Sequence, residues 1–385
     1  MNVVMFHSVG NFDSNWYRQW LSVRLDHFEY FCRYLKKHNY KTYFLKEWYE
    51  LQNTPDKQDK KQVVLTFDDG YLDNWVYAYP ILKKYNLKGT IFINPEFVEP
   101  TKGLRPQYSE NRNCKNLQSL GFLNWDEIIE LDKSEFIDIQ SHSMSHNHYF
   151  YDDELIDIYE GQEKYDWLPW LFKPERKSYY IHENQSSFVD FGYPVFKNGR
   201  ALGLRRFIPS DKFIESFITK YNELKNTVER DSAFNRLKRF TFDYKEKHGS
   251  IGIYETDSEM EERYRYEIFE SKRVLEKNLN KKIDFLCWPG GGYNDISLRI
   301  SKVVGYKAST VSSKDKNLQS NNYKDYKRIN RFGLTSYMSY NKYKKVSNNK
   351  KILVQQFLQK KGNLFYKNIM KIKKSLFLIE CYIKN

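Results

Sequence analysis

Cysteine is scarce in this 385-residue sequence. Cys32, Cys114, Cys287 and Cys381 are its only four, scattered without the spacing of a disulfide framework or a zinc-type motif. That excludes the small disulfide-stapled classes and fits a reducing compartment. Long apolar runs are also missing, and none approaches the length that spans a bilayer. The opening MNVVMFHSVG has no basic n-region, no long apolar core and no cleavage site, so it reads as a first buried strand rather than a leader. The expected location is the cytoplasm, including the inner face of the membrane. No internal repeat is visible, and no histidine follows His248.

The net charge is +14, and almost all of it lies in one place. Residues 341–385 hold twelve lysines, no arginine and one acid, Glu380, which leaves +3 for the other 340 residues. Within this tail Phe365, Ile369, Ile372, Leu376 and Ile379 fall at helical spacing. Two readings stand side by side. One is a basic amphipathic helix lying on an anionic membrane face. The other is a lysine-rich helix packed on its own domain. Without arginine or a nucleic-acid motif, the tail gives no reason to expect a nucleic-acid partner.

With 40% hydrophobic and 29% charged residues, the chain belongs to the globular class. Short β-rich runs alternate with helical patterns. The expected strands are Val3–Phe6, Lys41–Phe44, Val63–Phe67, Thr90–Ile93, Ile137–Gln140, Phe285–Trp288 and Lys307–Thr310. Expected helices are Leu25–His38, Trp75–Tyr85, Trp125–Leu131, Glu262–Asn278 and Asp295–Val304, with Asn124 as an N-cap and Glu127 three residues on. Buried strands alternating with helices predict an α/β fold, a distorted parallel barrel of the (β/α)7 type. From about residue 150 to 257 the alternation stops. That segment is expected to be an insertion capping the functional face of a barrel that spans residues 1–340, with 341–385 as a basic helical tail.

Four predicted strands end in reactive residues. Val3–Phe6 runs into His7 and Ser8, and Val63–Phe67 into Asp68, Asp69 and Gly70. Ile137–Gln140 runs into SHSMSHNH, and Phe285–Cys287 into WPGGG. In a parallel α/β barrel the C-terminal strand ends converge on one mouth, where catalytic groups collect. His142 and His146 are four apart and would share a face of a helical turn, which makes half of a zinc-type site. A carboxylate from another strand end would complete a His-His-Asp triad.

TFDDG followed by HSMSH resembles the first two motifs of the polysaccharide deacetylases, the NodB-homology group or carbohydrate esterase family 4. The resemblance covers roughly residues 2–150 and 262–331. It implies a parallel barrel of about seven strands that removes N- or O-acetyl groups from sugars with a divalent metal, commonly Zn2+. By the resemblance Asp69, His142 and His146 hold the metal, and Asp68 is the general base acting on a metal-held water. FLCWPGGG stands where the third motif is expected, in a form similar to that of poly-N-acetylglucosamine deacetylases. Many members carry an arginine two residues before the proline to steady the base, and here that position is Cys287. Gly290 replaces the usual aromatic and would keep its N–H as oxyanion donor, with Trp288 as a substrate contact. The family's late histidine, its general acid, has no counterpart. His7 and His148 are the two candidates to replace it.

The expected substrate is an acetylated amino sugar carried on a nucleotide or a lipid, as in capsule or O-antigen synthesis. Arg205 and Arg206 are candidates to grip its pyrophosphate, and the tail would supply contact with the membrane. Two alternatives stay open. One is a deformylase or other small-amide hydrolase with the same metal site. The other is a degenerate carbohydrate-binding barrel without turnover.

Overall fold

The structure is a computed structural model. It describes residues 3–10, 16, 18–52, 60–109, 117–312, 328–340 and 343–383. Cys114 lies outside the described residues, and Cys32, Cys287 and Cys381 are buried free thiols.

The central sheet holds β1 (Val3–Phe6), β2 (Lys41–Tyr43), β3 (Gln62–Phe67), β4 (Gly89–Ile93), β5 (Ile137–Ser141), β6 (Phe285–Cys287), β7 (Ala308–Ser312) and β8 (Arg328–Gly333). Its order is β1-β8-β7-β6-β5-β4-β3, and β3 pairs back onto β1, so seven parallel strands close a barrel. The closing register runs from Val3↔Val64 to Phe6↔Phe67. β1, β3 and β4 are buried almost throughout, which is why they read as continuous apolar runs without alternation.

The predicted barrel class and the number seven both hold, but one strand changes places. Lys41–Tyr43 pairs only with the first half of β3 and stays outside the ring. The seventh ring strand is β8, which the sequence pattern misses. Its RINRFG alternates Ile329 and Arg331 on the buried face, so an inward arginine makes a core strand look like a polar loop.

Val3, Val64, Phe92, Phe285, Cys287 and Ile329 pack together with Leu45 and Trp48 of the helix Leu45–Gln52. Each such fully buried large side chain contributes about 1.5–3 kcal/mol relative to exposure. α1 (Leu25–Lys37) sets Phe28 edge-on to Phe6, with ring centroids 5.4 Å apart, and Phe6 stacks on Phe67 at 5.5 Å. α2 (Trp125–Lys133) begins with the expected capping box. The Asn124 side chain accepts from the Glu127 N–H at 2.9 Å, and Glu127 accepts from the Asn124 N–H at 3.1 Å.

The chain divides into two compact units, residues 1–142, 273–287 and 306–385 in one, residues 143–272 and 288–305 in the other. The first contains the barrel together with α3 (Ile352–Lys360) and α4 (Leu364–Ile383). The second is built on an antiparallel hairpin, His148–Tyr159 with Tyr193–Arg200, and on the helices Asp211–Leu224 and Arg230–His248. Phe196, Phe207, Phe213 and Phe217 form an aromatic core there, with successive centroids 5.4–6.2 Å apart.

Candidate active site

Asp68 continues the line of β3, its N–H donating to the Phe6 carbonyl at 3.0 Å. The chain then turns through two left-handed residues, Asp69 (φ 73°) and Gly70 (φ 71°). The left-handed backbone at Gly70 favours glycine, and a Cβ there would stand 2.7 Å from the tip of Ile93, Cδ1, which would have to give way. The turn lets neighbouring carboxylates, which a straight strand would send to opposite faces, leave the strand end together. Both are buried.

Asp68 is held by Arg331 from β8. Arg331 Nη1 donates to Asp68 Oδ1 at 2.6 Å and Nη2 to Oδ2 at 2.8 Å, a bidentate pair. The same guanidinium reaches Thr66 Oγ1 at 3.0 Å and Cys287 Sγ at 2.9 Å, and lies 5.3 Å over the Phe92 ring. Burial alone would push the Asp68 carboxyl up, but Arg331 outweighs it and holds the group below the ordinary carboxylate range. The arginine absent at position 287 is thus supplied by another strand. His7 Nε2 stands 3.9 Å from Asp68 Oδ2, with the His7 side chain partly open to solvent.

His142 follows β5. Its Nδ1 pairs with the Cys287 carbonyl at 2.8 Å, which makes Nδ1 the protonated nitrogen. Nε2 lies 3.2 Å from Asp69 Oδ1. At that distance the pair can share a proton or both bind one cation, and the backbone hydrogen bond on the far nitrogen is the usual support of a metal-ligating histidine. Burial opposes charge on His142, yet Cys287 and Asp69 beside it raise the imidazole well above its ordinary value. Asp69, His142 and His146 each offer one ligand atom, and these atoms lie within 4.8 Å of one another. One carboxylate and two imidazoles suit Zn2+ and related divalent ions.

The expectation of a helical turn at HSMSH is corrected. Residues 142–147 form an irregular loop, with Ser143 at φ 63° and His146 at φ 54°. Left-handed backbone at non-glycine residues carries a cost and needs outside support. Here the support is a pair of buried charges. Glu267, in the π-helical turn Tyr266–Glu270, accepts from the Ser145 N–H at 3.0 Å and pairs with the Ser145 hydroxyl, while its carbonyl accepts from Met144 N–H at 3.0 Å. Lys177 is wholly buried and donates to the Ser145 carbonyl at 2.9 Å and to Asn147 Oδ1 at 2.7 Å.

The remaining candidates have partners within the second unit. His148 lies against Arg200 and stacks 5.5 Å from Trp167. Arg205 pairs with Asp257. Arg206 lies 4.5 Å over the Tyr149 ring, and its N–H donates to Glu255 at 2.7 Å. Trp288 is buried and stacks 5.3 Å from Tyr293. Gly290 is left-handed (φ 54°), and Arg200 occupies the space a side chain would need, which explains the glycine in place of the family's aromatic.

Sequence reasoning missed Arg331, Glu267 and Lys177. Arg331 carried one faint signal, a charge at an alternating inward position. Glu267 and Lys177 carried none, because ordinary helices and turns are full of such residues.

The sequence profile of the polysaccharide deacetylase family matches residues 55–185, a stretch that includes Asp68, Asp69, His142 and His146. A protein of Bacillus subtilis (strain 168) named "Putative polysaccharide deacetylase YxkH" is 38% identical over 91 residues, which is 24% of this chain and only 30% of that relative's length. Among solved structures, a de-N-acetylase from Aggregatibacter actinomycetemcomitans superposes with a TM-score of 0.51 at 17% identity. The superposition covers 86% of this chain and 93% of that one, a likeness of fold.

Proposed function

We propose that this chain is a NodB-type polysaccharide deacetylase, a metal-dependent hydrolase removing an N-acetyl or O-acetyl group from an amino sugar in cell-surface glycan biosynthesis, a reading supported by the family profile over residues 55–185 and by the Bacillus relative. The observation that carries the reading is the division of labour at the end of β3. Asp69 faces His142 across a gap suited to a cation, while Asp68 is kept ionised by Arg331.

Asp69, His142 and His146 would hold the ion, with Zn2+ the best match to the donor set. Such an ion supplies a Lewis acid for the acyl oxygen and lowers the pKa of water. Asp68 accepts the proton of the attacking water, and Arg331 fixes the carboxylate plane so that its free lone pairs face one way. His7, set against Asp68 and partly exposed, returns a proton to the leaving amine and is recharged from solvent. By the family's pattern the Gly290 N–H is the candidate donor to the developing oxyanion. The substrate in this reading is a nucleotide- or lipid-linked amino sugar at the inner face of the membrane.

The test is acetate release from a panel of acylamino sugars by purified, Zn2+-supplied protein, alongside metal content. Asp69→Ala and His142→Ala should lose both metal and activity. Asp68→Asn should keep the metal and lose about 10²–10⁴-fold in rate. Activity surviving Asp69→Ala would sink the site assignment, and formate in place of acetate would reassign the acyl group.

A further inference from the structure

The C-terminal helix α4 packs on one face and leaves another uncovered. α3 is fixed to the barrel unit through Phe357, whose ring lies 5.4 Å from Phe31 and 5.5 Å from Tyr40. α4 is tied beside it by Lys373, which donates to Gln355 Oε1 at 2.7 Å, and by Glu380, which pairs with Lys345 at 2.6 Å. Phe377 and Cys381 are its buried residues. Phe365, Ile372, Leu376 and Ile379 follow one another at helical spacing on a different face, and they are 66%, 60%, 61% and 55% exposed. An apolar stripe of this kind on an otherwise docked helix marks an interaction surface.

Charge selects the partner. Lys367, Lys371 and Lys374 are exposed on the same helix, and its one acid, Glu380, is already paired with Lys345. The twelve lysines of residues 341–385 make this the basic end of the chain. A protein partner would need an apolar groove ringed with acids. An anionic bilayer offers acyl chains for the stripe and a negative surface field for the basic end as a whole; at about 3.6 residues per turn Lys367, Lys371 and Lys374 fall on the side of α4 away from the stripe and act through that field rather than as direct headgroup contacts. We propose that α4 docks the protein peripherally on anionic membrane, with Phe365, Ile372, Leu376 and Ile379 entering the interface. No helix among the described residues is long and apolar enough to cross a membrane, so the contact is lateral.

Co-sedimentation of the full chain with vesicles tests this, using phosphatidylcholine alone and phosphatidylcholine mixed with phosphatidylserine. The wild type should partition onto the mixed vesicles and be released by salt. Replacing Lys367, Lys371 and Lys374 by Gln together should weaken that partition about 8-fold, roughly twofold per lysine, because they sit on the side of the helix away from the surface and act at a distance. Leu376→Glu with Ile379→Glu should weaken it about 10-fold or more, with an unchanged thermal melt because both sites are exposed. Neither variant touches the active site, so turnover of a soluble acylamino sugar serves as an independent control. Equal partition onto both vesicle types, or partition indifferent to both variants, would overturn the proposal. So would a dimer in solution that Leu376→Glu dissolves without any vesicle binding, since a second copy would then be the occupant.

Discussion

Two segments that carry candidate site residues are held in place by opposite means. At the end of β3 the support is the sheet itself. Asp68 sits in strand register, and its partner Arg331 arrives on a neighbouring part of the same ring. In the loop after His142 the backbone is irregular and twice left-handed, and side chains hold it: Glu267 and Lys177, buried and bonded to the loop's own N–H and carbonyl groups. A carboxylate held by register needs one guanidinium to set its charge. A histidine held by a loop needs several hydrogen bonds to set its conformation. Disturbing the first should therefore change protonation, and disturbing the second should change metal affinity.

The largest effect is expected at Arg331. Arg331→Met leaves Asp68 buried with its charge unmatched, at a cost of about 3–5 kcal/mol in stability. The Asp68 carboxyl is depressed in the folded protein, so the stability it contributes is present above the unfolded carboxylate value near ~3.9 and is lost as pH falls through the lower folded value. In the variant that order reverses. The acid limb of the rate profile should move to higher pH, and an unmoved limb would show that Arg331 does not govern the base.

Asp73 sharpens the same contrast inside the barrel unit. It is as buried as Asp68, but its partners are neutral: Ser8, the Val9 N–H and Asn74. Burial therefore wins, and its carboxyl is pushed up to about 7. The folded protein then holds a proton that the unfolded chain releases. The stability tied to it is full below about pH 4 and is lost as pH rises through about 7, on the order of 4 kcal/mol across that window. Asp73→Asn should flatten the decline of Tm between those pH values, and an unchanged slope would exclude Asp73 as its source.

On the loop side, Glu267→Leu should cost about 1–3 kcal/mol by stranding the Ser145 N–H. It should also weaken Zn2+ binding by about 10–100-fold in titration calorimetry. Glu267→Gln, which can still accept from Ser145, should recover most of that affinity. If both variants bind Zn2+ like the wild type while melting earlier, Glu267 supports the fold and not the ligand loop. The smallest effect is expected at Gly290→Ala, about 1–2 kcal/mol from its left-handed backbone and from Arg200 in the space of the new methyl. A melt within error of the wild type would mean that Arg200 moves aside freely.

Much of the molecule was legible in the linear text. The buried runs of β1, β3, β4, β5 and β6, the capping box at Asn124, and the carboxylates and histidines at strand ends all depend on neighbours a few residues away. Local physics decides such features, so a single sequence carries them. What it could not carry was β8 as a ring strand, because the inward Arg331 makes sense only opposite Asp68, 263 residues earlier. Nor could it carry the loop form of HSMSH, whose left-handed residues depend on Glu267 and Lys177. Likewise the glycine at 290 was readable as a departure from the family, but its reason, Arg200, is 90 positions away. The chain's own sequence determined which chemical groups the protein brings to its strand ends. The closure of the barrel decided which of them are charged and which side chains keep them so, because burial and pairing across the ring are properties of folded distance and not of spacing along the chain.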